Sequence, residues 1–186
     1  MLQTLMLYWE ILWRRRLPSD LPYSPALCLA TALVSIALGI GVNEAFARFV
    51  QVDTAKLEPG APSFVIVPFV VALGAAGYAL VLRAFRHTPR VLQTLNAILG
   101  ISLFTGAAGL LLLLAGLALP TSMLSLRGLI GFAVIAVSIY DLYLKCWILG
   151  QALERPVALS FLIVLSLEIF TVLVASLLLG PRTAGA

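Results

Sequence analysis

The sequence predicts an all-α integral membrane protein: five transmembrane helices preceded by an N-terminal interfacial amphipathic helix. Three observations predict it. Of the 186 residues, 62% are hydrophobic and 11% charged, whereas a soluble domain is about half apolar and a quarter charged. A fold this small has no interior large enough for the surplus, so the surplus must face lipid. The apolar residues fall in five solid runs without the alternation of a membrane β-barrel, and charged, proline or glycine residues punctuate the runs.

The opening stretch, residues 1–17, reads as the amphipathic helix. Leu2, Leu5, Met6, Trp9, Leu12 and Trp13 recur at helical spacing, while Gln3, Glu10 and Arg14 gather on another side. Its charges follow the apolar residues, the reverse of a secretory signal. Two Trp, a Tyr and the run Arg14, Arg15, Arg16 suit a helix in the headgroup layer. The alternative is docking on a partner or on the protein's own inner face.

Crossing the hydrocarbon core takes about 20 apolar residues. Runs of that length occupy approximately residues 26–46, 62–82, 91–119, 128–149 and 157–179, forming a single membrane domain. Ser24-Pro25, Thr88-Pro89 and Arg155-Pro156 place a proline at a helix start, where its missing N–H costs nothing. Ser24 and Thr88 are the expected N-caps. Pro120 closes the third run and Gly180-Pro181 the fifth. Pro68 is expected to bend the second helix or mark its true start. Glycines recur along the runs and read as general surfaces for close helix packing.

Basic residues set the expected orientation. With the N-terminus cytoplasmic, that side holds Arg14, Arg15, Arg16, Arg83, Arg86, Arg90, Lys145 and Arg155. The other side holds Arg48, Lys56, Arg127 and Arg182. Eight against four, accounting for all twelve, predicts the C-terminus on the opposite side. Trp9, Trp13 and the arginines at 14–16, 83, 86 and 90 are then expected at anionic headgroups. The residue usage fits a bacterial inner membrane.

The same residues exclude several functions. The formal charge of +4 needs no nucleic acid, because no basic stripe interleaved with aromatics lies outside the runs. Cys28 and Cys146 sit inside spans without a CxxC or a neighbouring His, so neither a disulfide nor a metal site is expected. His87 is the one histidine and reads as a solvated loop residue. No nucleotide motif and no hydrolase motif occurs, so neither a cofactor nor an enzymatic activity is expected.

The informative residues are the charges at membrane depth. Glu44, near the outer end of the first span, reads as an interfacial anchor beside Arg48. Asp141 and Lys145 are one helical turn apart in the fourth span, and Tyr140 and Tyr143 add hydroxyls at that level. Lys145 is expected to snorkel to the cytoplasmic interface. Glu168 lies halfway along the fifth span, so it must share Lys145, accept from Tyr140, or be held as the neutral acid. Asp141, Lys145, Glu168 and Tyr140 therefore form the expected intramembrane polar cluster. It serves either as a polar lock between two helices, as a proton or cation path, or as an acid–base pair acting on lipid.

The layout resembles the Yip/Yif class of five-span membrane proteins. The stretches "FRHTPRVLQTLNAILGISLF" and "WILGQALERPVALSFLIVL" are similar to the middle and end of bacterial members. The resemblance, spanning about residues 24–180, implies a non-enzymatic protein that organises partner proteins or lipids. The expected function is that of an accessory or scaffold subunit, with a protein partner or as a homo-oligomer. The alternative is a small proton- or cation-coupled transporter or channel subunit using Glu168 and Asp141.

Overall fold

The computed structural model describes residues 2–50, 61–120 and 123–179. All the regular structure in these residues is helical. A short helix α1 (Leu2–Leu12) is followed by a 3-10 turn (Pro18–Asp20), then α2 (Pro25–Val50), α3 (Ser63–Ala84), a second 3-10 turn (Thr88–Arg90), α4 (Val91–Ala118), α5 (Leu124–Leu153) and α6 (Val157–Leu179). Helices α2 to α6 are each long and apolar enough to cross a membrane. Two of them run several residues longer than the apolar windows in the sequence: α2 continues to Val50, and α5 begins at Leu124 and ends at Leu153.

The starts and stops follow local chemistry. Ser24 caps α2, its hydroxyl accepting from the Leu27 N–H at 3.2 Å. Thr88 does not cap α4 with its side chain: Thr88, Pro89 and Arg90 form a 3-10 turn that feeds directly into the helix. Pro68 lies inside α3 and does not mark its start, because helical backbone begins at Ser63 behind Pro62. Helix α4 stops at Ala118 ahead of Pro120, while Gly180-Pro181 falls outside the described residues.

Three ends on one side of the bundle share an unusual closure. Arg14, Arg86 and Glu154 all adopt left-handed backbone, with φ of 57°, 63° and 54°. Each is followed by an N–H that reaches back to the carbonyl five residues earlier, as His87 N does to Leu82 O at 2.8 Å. This side carries most of the arginines and is termed the basic end.

The five long helices close into a ring whose order differs from the chain order. Going round, α2 packs on α4, α4 on α5, α5 on α6, α6 on α3, and α3 back on α2. Small residues allow the close approaches, and they sort into two kinds. Gly39 faces Val67 and Gly77 faces Leu167, where an added Cβ would come within 2.8 and 2.9 Å of those side chains. Gly74 and Gly109 face no atom within 4 Å, so they widen the interior. The expectation that the glycines all serve packing is therefore corrected at these two positions.

Buried residues concentrate toward the basic end, where Leu82, Ile101, Leu144, Ile148, Leu149 and Leu153 join one cluster. Helix α1 contributes to it. Tyr8 and Ile11 are 1% and 0% exposed, and the Tyr8 ring fills a notch at Gly100, where any Cβ would collide with it. The stripe Met6, Trp9 and Trp13 on the other side of α1 stays exposed. Helix α1 thus docks on the bundle through Tyr8 and Ile11, with Leu7 and Leu12 packed beside them.

Candidate functional site

The site is a polar cluster on the wall of a cavity enclosed by the ring. The cavity measures about 620 Å³ and is lined from all five long helices. Lys145 stands at the centre of the cluster. Its Nζ lies 3.0 Å from Asp141 Oδ2, one turn back on α5, and 2.9 Å from Glu168 Oε1 on α6. The expected snorkelling of Lys145 does not occur. With its side chain 17% exposed, it turns inward, because two carboxylates in a low-dielectric interior hold an ammonium more strongly than a distant interface does.

Hydroxyl groups from two other helices complete the arrangement. Thr105 and Ser102 of α4 donate to Asp141 Oδ1 at 2.6 and 3.3 Å. Tyr78 of α3 donates to Glu168 Oε1 at 3.4 Å. The cluster thus joins four of the five helices. Burying charges is costly unless each is paired and its remaining lone pairs satisfied, and Asp141 meets that condition on both oxygens.

Glu168 does not. Both of its partners, Lys145 and Tyr78, converge on Oε1, and no described residue donates to Oε2. Its side chain is 36% exposed, twice the 18% of Asp141. With two carboxylates and one ammonium, the ionised cluster carries one surplus negative charge. Glu168 is the most accessible of the three charged side chains.

Tyr140 lies elsewhere. Its hydroxyl donates to the Leu12 carbonyl oxygen at 2.7 Å, tying α5 to the end of α1. The expectation that Glu168 accepts from Tyr140 is corrected: the Tyr140 hydroxyl is engaged at Leu12, and Tyr78, on the other helix that flanks α6, takes that place. Tyr143 also turns toward α1 and accepts from Arg14 Nη1 at 2.6 Å. Sequence reasoning missed Tyr78, Ser102 and Thr105. Their signal was a hydroxyl at the depth of the charges on a different helix, which has meaning only once the ring order is known.

The headgroup candidates divide between the chain's own contacts and the surface. Arg14 spreads over the rings of Tyr143 and Trp147, its Cζ 5.7 and 5.5 Å from their centroids. Arg16 pairs with Glu10 at 3.1 Å and Arg90 with Glu154 at 2.7 Å. Arg15, Arg83 and Arg86 are exposed and make no ion pair among the described residues. Trp9 and Trp13 are exposed and meet edge to face at 5.9 Å. Glu44 pairs with Ser63, which donates to it at 2.5 Å, and not with Arg48.

Among the described residues, no group of three His, Cys, Asp or Glu side chains could hold a metal ion. No family model matches the chain, and comparison with curated proteins and with solved structures finds no similar protein.

Proposed function

We propose that the chain is a multi-pass membrane protein, with α2 to α6 as its spans and the basic end cytoplasmic, that exchanges a proton or a small cation at Glu168. One observation carries this reading. The Asp141–Lys145–Glu168 cluster has one carboxylate more than it has ammonium groups, and Glu168 is the carboxylate whose Oε2 has no partner among the described residues and whose side chain lines a cavity. A purely structural lock gains nothing from a surplus charge, whereas an exchange site needs one group that changes charge while its neighbours stay fixed. Asp141, tied to α4 by two hydroxyls, is the fixed partner. Lys145 holds both carboxylates within reach of each other. The eight-to-four distribution of basic residues supports the orientation, and the residue usage supports a bacterial inner membrane as the setting.

Purified protein in liposomes, with a pH dye inside and an imposed gradient, tests the reading. Proton or cation movement exceeds that of empty vesicles, and Glu168→Gln lowers it by about tenfold or more, as loss of an intramembrane charge carrier does. Equal movement by the two proteins contradicts the reading.

The accessory or scaffold reading keeps one observation of its own. Asp141 and Lys145 are fully engaged within the chain, as in a lock that holds a bundle in shape for a protein partner, a second copy or a lipid. The Yip/Yif resemblance points the same way. Under that reading Glu168→Gln leaves assembly intact and no flux exists to be lost.

A further inference from the structure

We infer that the cavity takes an amphipathic, singly charged organic cation, a lipophilic ammonium or similar ion, with its charged head at Glu168 and its apolar body among the aliphatic side chains. The inference rests on the proposed exchange at Glu168 and names what exchanges with the proton.

Four features select this class. Charge comes first: the ionised cluster carries one surplus negative charge, which matches one positive charge and repels anions. Second, chemistry is divided along the cavity. The charged side chains gather around Lys145, whereas Leu38 and Val42 of α2, Val70 and Val71 of α3 and Val134 of α5 line much of the remainder, with Ser35, Ser138 and Thr171 as its hydroxyls. A neutral polar solute finds too few partners on those walls, whereas a cation with an apolar body finds both. Third, the volume of about 620 Å³ falls in the range of about 300–1,000 Å³ typical of small-molecule sites. It greatly exceeds what a bare ion requires.

The fourth feature disfavours a hard divalent cation. A hard cation needs about six oxygen ligands converging at short range. Here the Lys145 ammonium already occupies the position between the carboxylates, 3.0 and 2.9 Å from their oxygens. Only Glu168 Oε2 is left to receive an incoming charge. An ammonium or phosphonium head needs no ligand shell, and one carboxylate edge beside the Tyr78 ring suffices. Gly74 and Gly109, where an added Cβ would meet nothing within 4 Å, supply the width that a bulky apolar body requires.

The test measures equilibrium binding of labelled tetraphenylphosphonium to the purified full-length protein. Tetraphenylborate, of the same shape and opposite charge, is the control. The expected result is saturable phosphonium binding at about one per chain, weakened as the pH is lowered because the proton competes, with no borate binding. Glu168→Gln weakens it about 30-fold, as loss of a charged partner does. Gly74→Leu, whose Cβ enters open space, weakens it about tenfold or more by filling the site. Both variants are first shown to elute and melt as folded protein. Absence of saturable binding, equal binding of the borate, or binding that both variants retain overturns the inference. If phosphonium does not bind while Glu168-dependent proton flux persists, the organic cation is wrong and the proton-exchange reading stands. Loss of both phenomena removes both.

Discussion

Lys145 Nζ and Glu168 Oε1 lie 2.9 Å apart and join α5 to α6 at the level where α3 and α4 present their hydroxyls. This pair makes the ring a single unit, because Asp141 extends it to α4 and Tyr78 to α3. Its energetic signature is asymmetry. Removing the ammonium strands two carboxylates beside each other, whereas removing one carboxylate leaves a matched pair.

Lys145→Met is therefore expected to be the most damaging substitution in the cluster, lowering stability by about 3 kcal/mol through uncompensated buried charge. Glu168→Gln alone costs less, and Lys145→Met with Glu168→Gln recovers part of the loss. A double-mutant cycle of melting temperatures in detergent checks this, and additive effects contradict a direct pair.

Tyr8 makes opposite predictions for its ring and its hydroxyl. The ring fills the Gly100 notch, so Tyr8→Ala costs about 3–5 kcal/mol by leaving a void, read as loosening of α1 in hydrogen exchange. The hydroxyl is buried without a hydrogen-bond partner, so Tyr8→Phe is neutral or stabilising by about 1 kcal/mol.

The same hydroxyl sets a pH limit on docking. Burial first, and the nearby Cys28 thiol second, push the Tyr8 hydroxyl from 10.0 up to about 12. The folded value is raised, so this stabilisation is complete below about pH 10 and is lost as the pH rises toward about 12. Alkaline release of α1, followed by tyrosinate absorbance and hydrogen exchange, is expected in the native protein. Tyr8→Phe should shift that release to higher pH.

Arg86 holds a left-handed backbone, φ 63°, at the end of α3. A side chain there costs about 1 kcal/mol relative to glycine. Arg86→Gly is accordingly expected to raise the melting temperature in detergent. If it lowers stability there, the exposed guanidinium has a structural contact, contrary to its surface position.

The extent of this fold visible in the sequence follows from which forces act locally. Run length, capping and breakers are local, so the five long helices and the Ser24 cap were legible. The Asp141–Lys145 pair was also legible, since an i, i+4 spacing is set by one helix alone. The ring order was not: it arises from contacts such as Gly77 on Leu167 and Gly39 on Val67, between residues far apart in the chain. Without that order, Tyr140 stood as a candidate donor to Glu168, Tyr78 was not among the candidates, and Lys145 appeared free to reach the interface. Helix α1 was legible in part. Trp9 and Trp13 stay exposed, as a helix in the headgroup layer requires, but the notch at Gly100 that takes the Tyr8 ring is formed by a residue far along the chain.

The central claim is that Glu168 changes its charge while Asp141 and Lys145 remain a fixed pair, and infrared difference spectroscopy of the reconstituted protein reads it most directly. Raising the pH should remove one carboxylic-acid C=O band in the native protein and in Asp141→Asn, with no such band in Glu168→Gln. A native protein without a titrating carboxyl band, or a band that persists in Glu168→Gln, contradicts the account.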